Sequence, residues 1–147
     1  MKIYVASSWR NEKQPLVVTA LIEAGHEVYD FRSSEGFKWA QIDKNWSGWT
    51  IEEYMKNLKH PLAEKGFKAD HEAMEWADVF VGVQPFGRSA SIEMGWAAGK
   101  GKGTILMIEP GEPELMVKEF NFLCLSINEV LSSLKLISEL RRINEKD

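Results

Sequence analysis

The stretch that most constrains how this chain can fold begins at Val79. Val79-Phe80-Val81-Gly82-Val83 is a short apolar run of the kind that forms a strand buried on both faces. Pro85-Phe86-Gly87 breaks it, and Ser89 stands where a helix N-cap would stand. A small, apolar helix is expected over residues 90–98, with Gly99 and Gly101 as places to stop it. Glu93 is the only charged residue in that helix. A carboxylate near a helix start is favoured by the macrodipole, but a lone one on an apolar helix is costly unless something uses it. Glu93 is therefore the expected centre of a site; the alternative is a solvent-facing acid that merely complements the dipole.

The rest of the chain reads as alternating strands and helices. Residues 2–6 (KIYVA) have strand composition and lead into a polar loop, Ser7-Ser8-Trp9-Arg10. Leu16, Val17, Ala20, Leu21 and Ala24 have the spacing of one helical face, closed by Gly25, and residues 26–31 read as a second strand. Strand, helix, strand within thirty residues predicts a parallel βαβ unit. Residues 33–49 have no steady period and hold Trp39, Trp46 and Trp49, so the region near 33–66 is expected to be an insertion or lid. Thr50-Ile51-Glu52-Glu53 has capping-box spacing and starts a helix to about residue 58. Pro61 and Gly66 are expected to break the chain before a helix over 69–77, in which Asp70, Ala73, Met74 and Ala77 share a face. Asp70 there is either a functional acid or an N-cap at the end of the buried stripe.

Strands are further expected at 104–108 and 121–125, and a closing amphipathic helix at 128–144. The pattern predicts one α/β domain over residues 1–147. The expected architecture is a flavodoxin-like, Rossmann-type three-layer sandwich with a five-stranded parallel sheet in the order 2-1-3-4-5. Ligands of such sheets sit beyond the strands' carboxyl ends at the switch point, which would bring residues 7–10 and 84–93 together.

Composition narrows the partners. The net charge is −4 and no basic cluster is dense enough to track a nucleic-acid backbone, so polymeric DNA or RNA is not an expected ligand. The one cysteine, Cys124, lies in an apolar run and is read as core. No stretch has the features of a signal peptide or the length of a membrane span, so the expectation is a soluble, cytoplasmic protein. His26, His60 and His71 are scattered and no Cys/His spacing suits a metal, so neither metal nor cofactor is expected. A Walker loop, a GxGxxG after the first strand and a GxSxG are all missing, which weighs against an NTPase, a dinucleotide enzyme and an α/β-hydrolase. Two carboxylates without a metal suit glycosyl transfer, one at the anomeric carbon and one at the leaving group.

Three segments then carry a resemblance: KIYVASSWR at the start, Asp70 eight residues before Asp78, and the run SIEMGWAAGKGK around Glu93. Together they resemble the nucleoside 2-deoxyribosyltransferase family and its deoxynucleoside 5′-monophosphate N-glycosidase relatives. The resemblance implies that Glu93 is a nucleophile forming a covalent deoxyribosyl-enzyme, that Asp70 assists the nucleobase and that Tyr4 positions the nucleophile. It implies substrate contacts from Ser7, Ser8, Trp9, Arg10, Gly87, Arg88 and Ser89, with a nucleoside or nucleotide as the small-molecule partner. A homo-oligomer, a dimer or larger, is expected by the same resemblance. Ser8 and Arg10 coincide with phosphate-holding positions of the glycosidase branch, whereas Trp9 is similar to the transferase branch. The loop 84–91 has no acid, where transferases usually carry one. Transfer to a base and transfer to water both stay open, as does a sensor of the same fold that binds without turnover.

Overall fold

The computed structural model describes residues 1–33 and 36–145. The chain forms two compact units, one of Met1–Asp30 with Trp76–Asp147, the other of Phe31–Glu75. Residues 34 and 35, inside the expected insertion, lie outside the described residues.

The larger unit is a five-stranded sheet in the order β2-β1-β3-β4-β5, every pair parallel. Its elements are β1 (Lys2–Ala6), α1 (Gln14–Glu23), β2 (Glu27–Tyr29), β3 (Val79–Val83), β4 (Gly103–Met107) and β5 (Phe122–Cys124). Two more helices complete it, here α4 (Arg88–Gly99) and α5 (Ile127–Asn144), since α2 and α3 lie in the smaller unit. All five residues of β3 are buried, as its unbroken apolar run requires of a strand covered on both faces. Val79, Val81 and Val83 enter one core with Ile3 and Val5 of β1, Val17 and Leu21 of α1, and Val130 and Leu134 of α5. Each fully buried side chain of this size contributes about 1.5–3 kcal/mol, so this layer between sheet and helices dominates the stability. Cys124 belongs to the same core, as its apolar setting implied.

The opposite face is covered by α4, which packs on β1, β3 and β4. Gly82 sets how close it comes. A Cβ at Gly82 would stand 3.0 Å from Leu106 Cδ1 and 3.1 Å from Met94 Sδ. The missing side chain thus lets Met94, fully buried, bring α4 down onto β3.

Several boundaries differ from expectation. α1 starts at Gln14, and its buried stripe is Gln14, Val17, Val18 and Leu21, while Leu16 is 61% exposed. The stripe is rotated because a polar residue, Gln14, occupies one inward position. Gly25 does take the left-handed conformation (φ 87°) that closes a helix. β2 is only three residues long. Ser89 is not the N-cap of α4: Gly87 holds that position in an extended conformation, and Ser89 is already helical.

The smaller unit holds two 3₁₀ turns, Trp39–Gln41 and Trp46–Gly48, followed by α2 (Ile51–Asn57) and α3 (Pro61–Trp76). The capping box forms as its spacing predicts: Thr50 Oγ1 accepts from the Glu53 amide at 3.2 Å, and the Glu53 carboxylate accepts from the Thr50 amide at 2.7 Å. Phe37, Trp49 and Tyr54 meet the Trp39 ring edge-on, with centroids 4.9, 5.6 and 5.9 Å away. The indole of Trp49 donates to Asp43 at 2.8 Å. That bond, after the amide of Asn45, holds the Asp43 carboxyl below the usual carboxylate range. Pro61 and Gly66 do not break the chain: Pro61 opens α3, where its missing N–H costs nothing, and Gly66 lies within the helix. Gly66 is there because a Cβ would stand 2.6 Å from Phe37 Cβ.

Candidate active site

Two loops leave the carboxyl ends of neighbouring strands, β1 and β3. Side-chain bonds from the first loop tie them together. Ser7 Oγ donates to the Val83 carbonyl at 2.8 Å. Asn11, only 4% exposed, donates to the same carbonyl at 2.8 Å and to the Pro85 carbonyl at 3.1 Å. Its Oδ1 accepts from the amides of Lys13, at 2.8 Å, and Gln14, at 3.2 Å, which caps α1 where Lys13 offers no side-chain cap. Gln14 then reaches the end of β2, donating to Asp30 at 2.8 Å. Three strand ends are thus linked through Asn11 and Gln14. The loops after β1 and β3 therefore meet through Ser7 and Asn11, at Val83 and Pro85.

Neither Asn11 nor Gln14 stood out in the sequence. The one available signal was their placement just after a strand and just before the first helical turn, where a side-chain amide can bond loop backbone.

Within this linked region Ser7 and Ser8 are half-buried, while Trp9 is 40% exposed and Arg10 is exposed. Arg10 and Arg88 make no ion pair among the described residues. On the other loop, Gly87 caps α4 without a side chain, and the peptide bond between Gln84 and Pro85 is cis. Arg88 and Ser89 are exposed in the first turn, where amide N–H groups have no intrahelical partner. Ser91 bends back, its hydroxyl donating to the Gly87 carbonyl at 3.1 Å. The first turn of α4 therefore presents free donors beside hydroxyls and a guanidinium.

Glu93 is half-buried in α4, next to Met94, whose side chain rests on Gly82. Tyr4 lies on the sheet face that α4 covers and is 1% exposed. Its ring stacks on Tyr29 at 5.3 Å and on Phe80 at 4.7 Å, its register neighbours in β2 and β3. Phe80 in turn meets Trp96 of α4 at 6.0 Å. Tyr4 is thus held rigidly within an aromatic row that runs from β2 to α4. Asp70 belongs to the smaller unit, half-buried on α3 well past its first turn, so it is not a helix cap.

A cavity of 520 Å³ in the larger unit is not lined by Glu93. Ser91, Gly95, Ala98 and Gly99 line it, and Glu93 sits about 200° around the helix from Ser91. The cavity meets β4 at Leu106.

No family model matches the sequence, and no curated protein matches it. Solved structures do. The chain is similar to a 2-deoxyribosyltransferase from Bacillus psychrosaccharolyticus, with a TM-score of 0.62 and 23% identity over 88% of this chain and 90% of that one. It is also similar to a CMP N-glycosidase from Clostridium botulinum, with a TM-score of 0.55 and 19% identity over 93% of this chain and 99% of that one. The chain therefore has the fold of these two proteins, a parallel five-stranded α/β sheet in the order 2-1-3-4-5.

Proposed function

We propose that the protein cleaves the N-glycosidic bond of a 2′-deoxyribonucleoside or its 5′-monophosphate, passing the sugar to a base or to water. The observation that carries this reading is the tie by Ser7 and Asn11 between the loop that holds Arg10 and the loop that leads into α4, the helix that bears Glu93. Two solved structures of the same fold, a 2-deoxyribosyltransferase and a CMP N-glycosidase, support it.

In this mechanism the Glu93 carboxylate attacks the anomeric carbon. The bond to the nucleobase breaks, its electron pair leaving on the base nitrogen, and a glycosyl ester forms on Glu93. Asp70 supplies a proton or hydrogen bond to the departing base. A second base or a water then opens the ester and regenerates the carboxylate. Tyr4 acts as a positioning residue, its ring clamped by Tyr29 and Phe80. The Ser8 and Ser89 hydroxyls, the α4 amides and Arg10 or Arg88 hold a 5′-phosphate, for which charge-assisted bonds and a helix N-terminus are suited. Ser7, Trp9 and Gly87 complete the sugar side. A homo-oligomer and a cytoplasmic location go with this reading.

The test is incubation with deoxynucleosides and their 5′-monophosphates, with and without an acceptor base, followed by mass spectrometry of the peptide holding Glu93. A sugar adduct on that peptide and loss of turnover by several orders of magnitude in Glu93→Ala are expected. Wild-type activity in the variant would remove Glu93 from the chemistry. Binding without turnover across the panel would leave a sensor.

A further inference from the structure

On the sheet face that α4 covers, the larger unit leaves one flank uncovered. α1 and α5 share the other face, but here α4 packs chiefly on β1, β3 and β4. Leu123 of β5 lies in register beside Leu106 of β4; Leu106 is fully buried, Leu123 is 47% exposed. Parallel sheets ordinarily have both faces covered. Between α4, Leu106 of β4 and a 3₁₀ turn, Leu115–Glu119, lies the 520 Å³ cavity.

Its walls have a consistent chemistry. Phe86, Leu106, Val117 and Phe120 make it apolar, and the α4 wall is Gly95, Ala98 and Gly99, with almost no side chain to fill the space. Of the polar groups, Ser91 already donates to Gly87, and Gln84 Oε1 already accepts from the Glu109 amide at 3.1 Å. The remaining charges are two carboxylates, Glu114 and Glu119, at the two ends of the turn. Neither makes an ion pair or hydrogen bond among the described residues, and neither Lys nor Arg lines the cavity. The volume is within the roughly 300–1,000 Å³ of small-molecule sites, which combine apolar walls with a few placed polar groups.

We propose that this cavity is a second ligand site, for a small organic cation with a ring-sized apolar body. The ring enters between Phe86, Leu106 and Phe120, and the ammonium lies at the mouth between Glu114 and Glu119. An anion is disfavoured there by both carboxylates; a neutral ring loses the charge contribution. The site is on the flank of α4 away from Glu93 and does not depend on what Glu93 does.

Calorimetric titration with three probes of one shape tests it: 1-naphthylmethylammonium, 1-naphthylmethanol and 1-naphthaleneacetate. One site is expected, with the cation bound about three- to tenfold tighter than the alcohol, a modest gain because both carboxylates reach solvent. The anion should bind weakest. The double variant Glu114→Gln, Glu119→Gln should bind cation and alcohol alike, with the alcohol unchanged from wild type. Ala98→Trp fills the cavity and should abolish all three; Val117→Trp, on the surface turn, does the same should the first variant fail to fold. Glu93→Gln should leave every affinity unchanged. Equal affinity for the three probes, or wild-type binding in a folded filled-cavity variant, would overturn the proposal. So would sedimentation showing that a second copy covers this face and excludes the probes.

Discussion

Asn11 uses all of its hydrogen-bonding capacity, two donors to the Val83 and Pro85 carbonyls and one oxygen to the amides of Lys13 and Gln14. Asn11→Ala removes the side-chain partner of the Pro85 carbonyl and of the Lys13 and Gln14 amides, leaving the Val83 carbonyl with Ser7 alone, and is expected to cost about 2–4 kcal/mol of stability. Asn11→Asp keeps the oxygen but turns a negative charge toward two carbonyls, so it should be no better, as denaturant unfolding would show. His26 supplies a pH dependence. Burial first, and the charge of the Met1 amino group second, push its pKa below 6.5. With a lowered pKa the unfolded chain takes the proton first, so stability falls as pH drops below about 6.5 and stops falling below the folded value. Wild type should therefore lose more stability between pH 7.5 and 5.5 than His26→Asn, read as the shift in urea midpoint. An equal loss in both would remove His26 from the acid sensitivity.

Among the elements, glycines in two helices make opposite predictions. In α3, Gly66→Ala places a methyl 2.6 Å from Phe37 Cβ, an atom fixed to backbone that cannot swing away. The clash should outweigh the gain in helix propensity and destabilise by about 1–3 kcal/mol. In α4, a Cβ at Gly95 meets nothing within 4 Å. Gly95→Ala should therefore stabilise by about 0.5–1 kcal/mol, because only the propensity term remains. Thermal unfolding of the two variants side by side reads both signs at once. The same comparison explains why Gly66, five residues after Pro61, reads as a chain break in sequence. A glycine inside a helix and a glycine that ends one are the same letter, and only the neighbouring ring at Phe37 separates them.

For the whole molecule, the tie between the β1 and β3 loops bears on the proposed phosphate site. If Arg10 and the start of α4 take a 5′-phosphate, kcat/KM for a deoxynucleoside 5′-monophosphate should exceed that of the free nucleoside by about tenfold, a charge-assisted bond discounted for the exposure of Arg10. Arg10→Ala should narrow that ratio, and Arg88→Ala should do so instead if the second guanidinium is the ligand. A wild-type preference for the free nucleoside would overturn the phosphate assignment. Much of this molecule was legible as sequence. The buried run at Val79, the Gly25 stop, the Thr50 capping box and the alternation of strands and helices depend on local periodicity and backbone preference, which a linear pattern carries. From these the sheet order follows by connection rules. What the pattern could not carry was decided in three dimensions. A side chain's partner, when it is a carbonyl seventy residues away, leaves no periodic trace, so Asn11 and Gln14 became visible only once β1 and β3 lay side by side. The flank of α4 that faces Glu93 and the flank that faces an open cavity are likewise two sides of one apolar helix. Only the packing of Met94 onto Gly82 determines which is which.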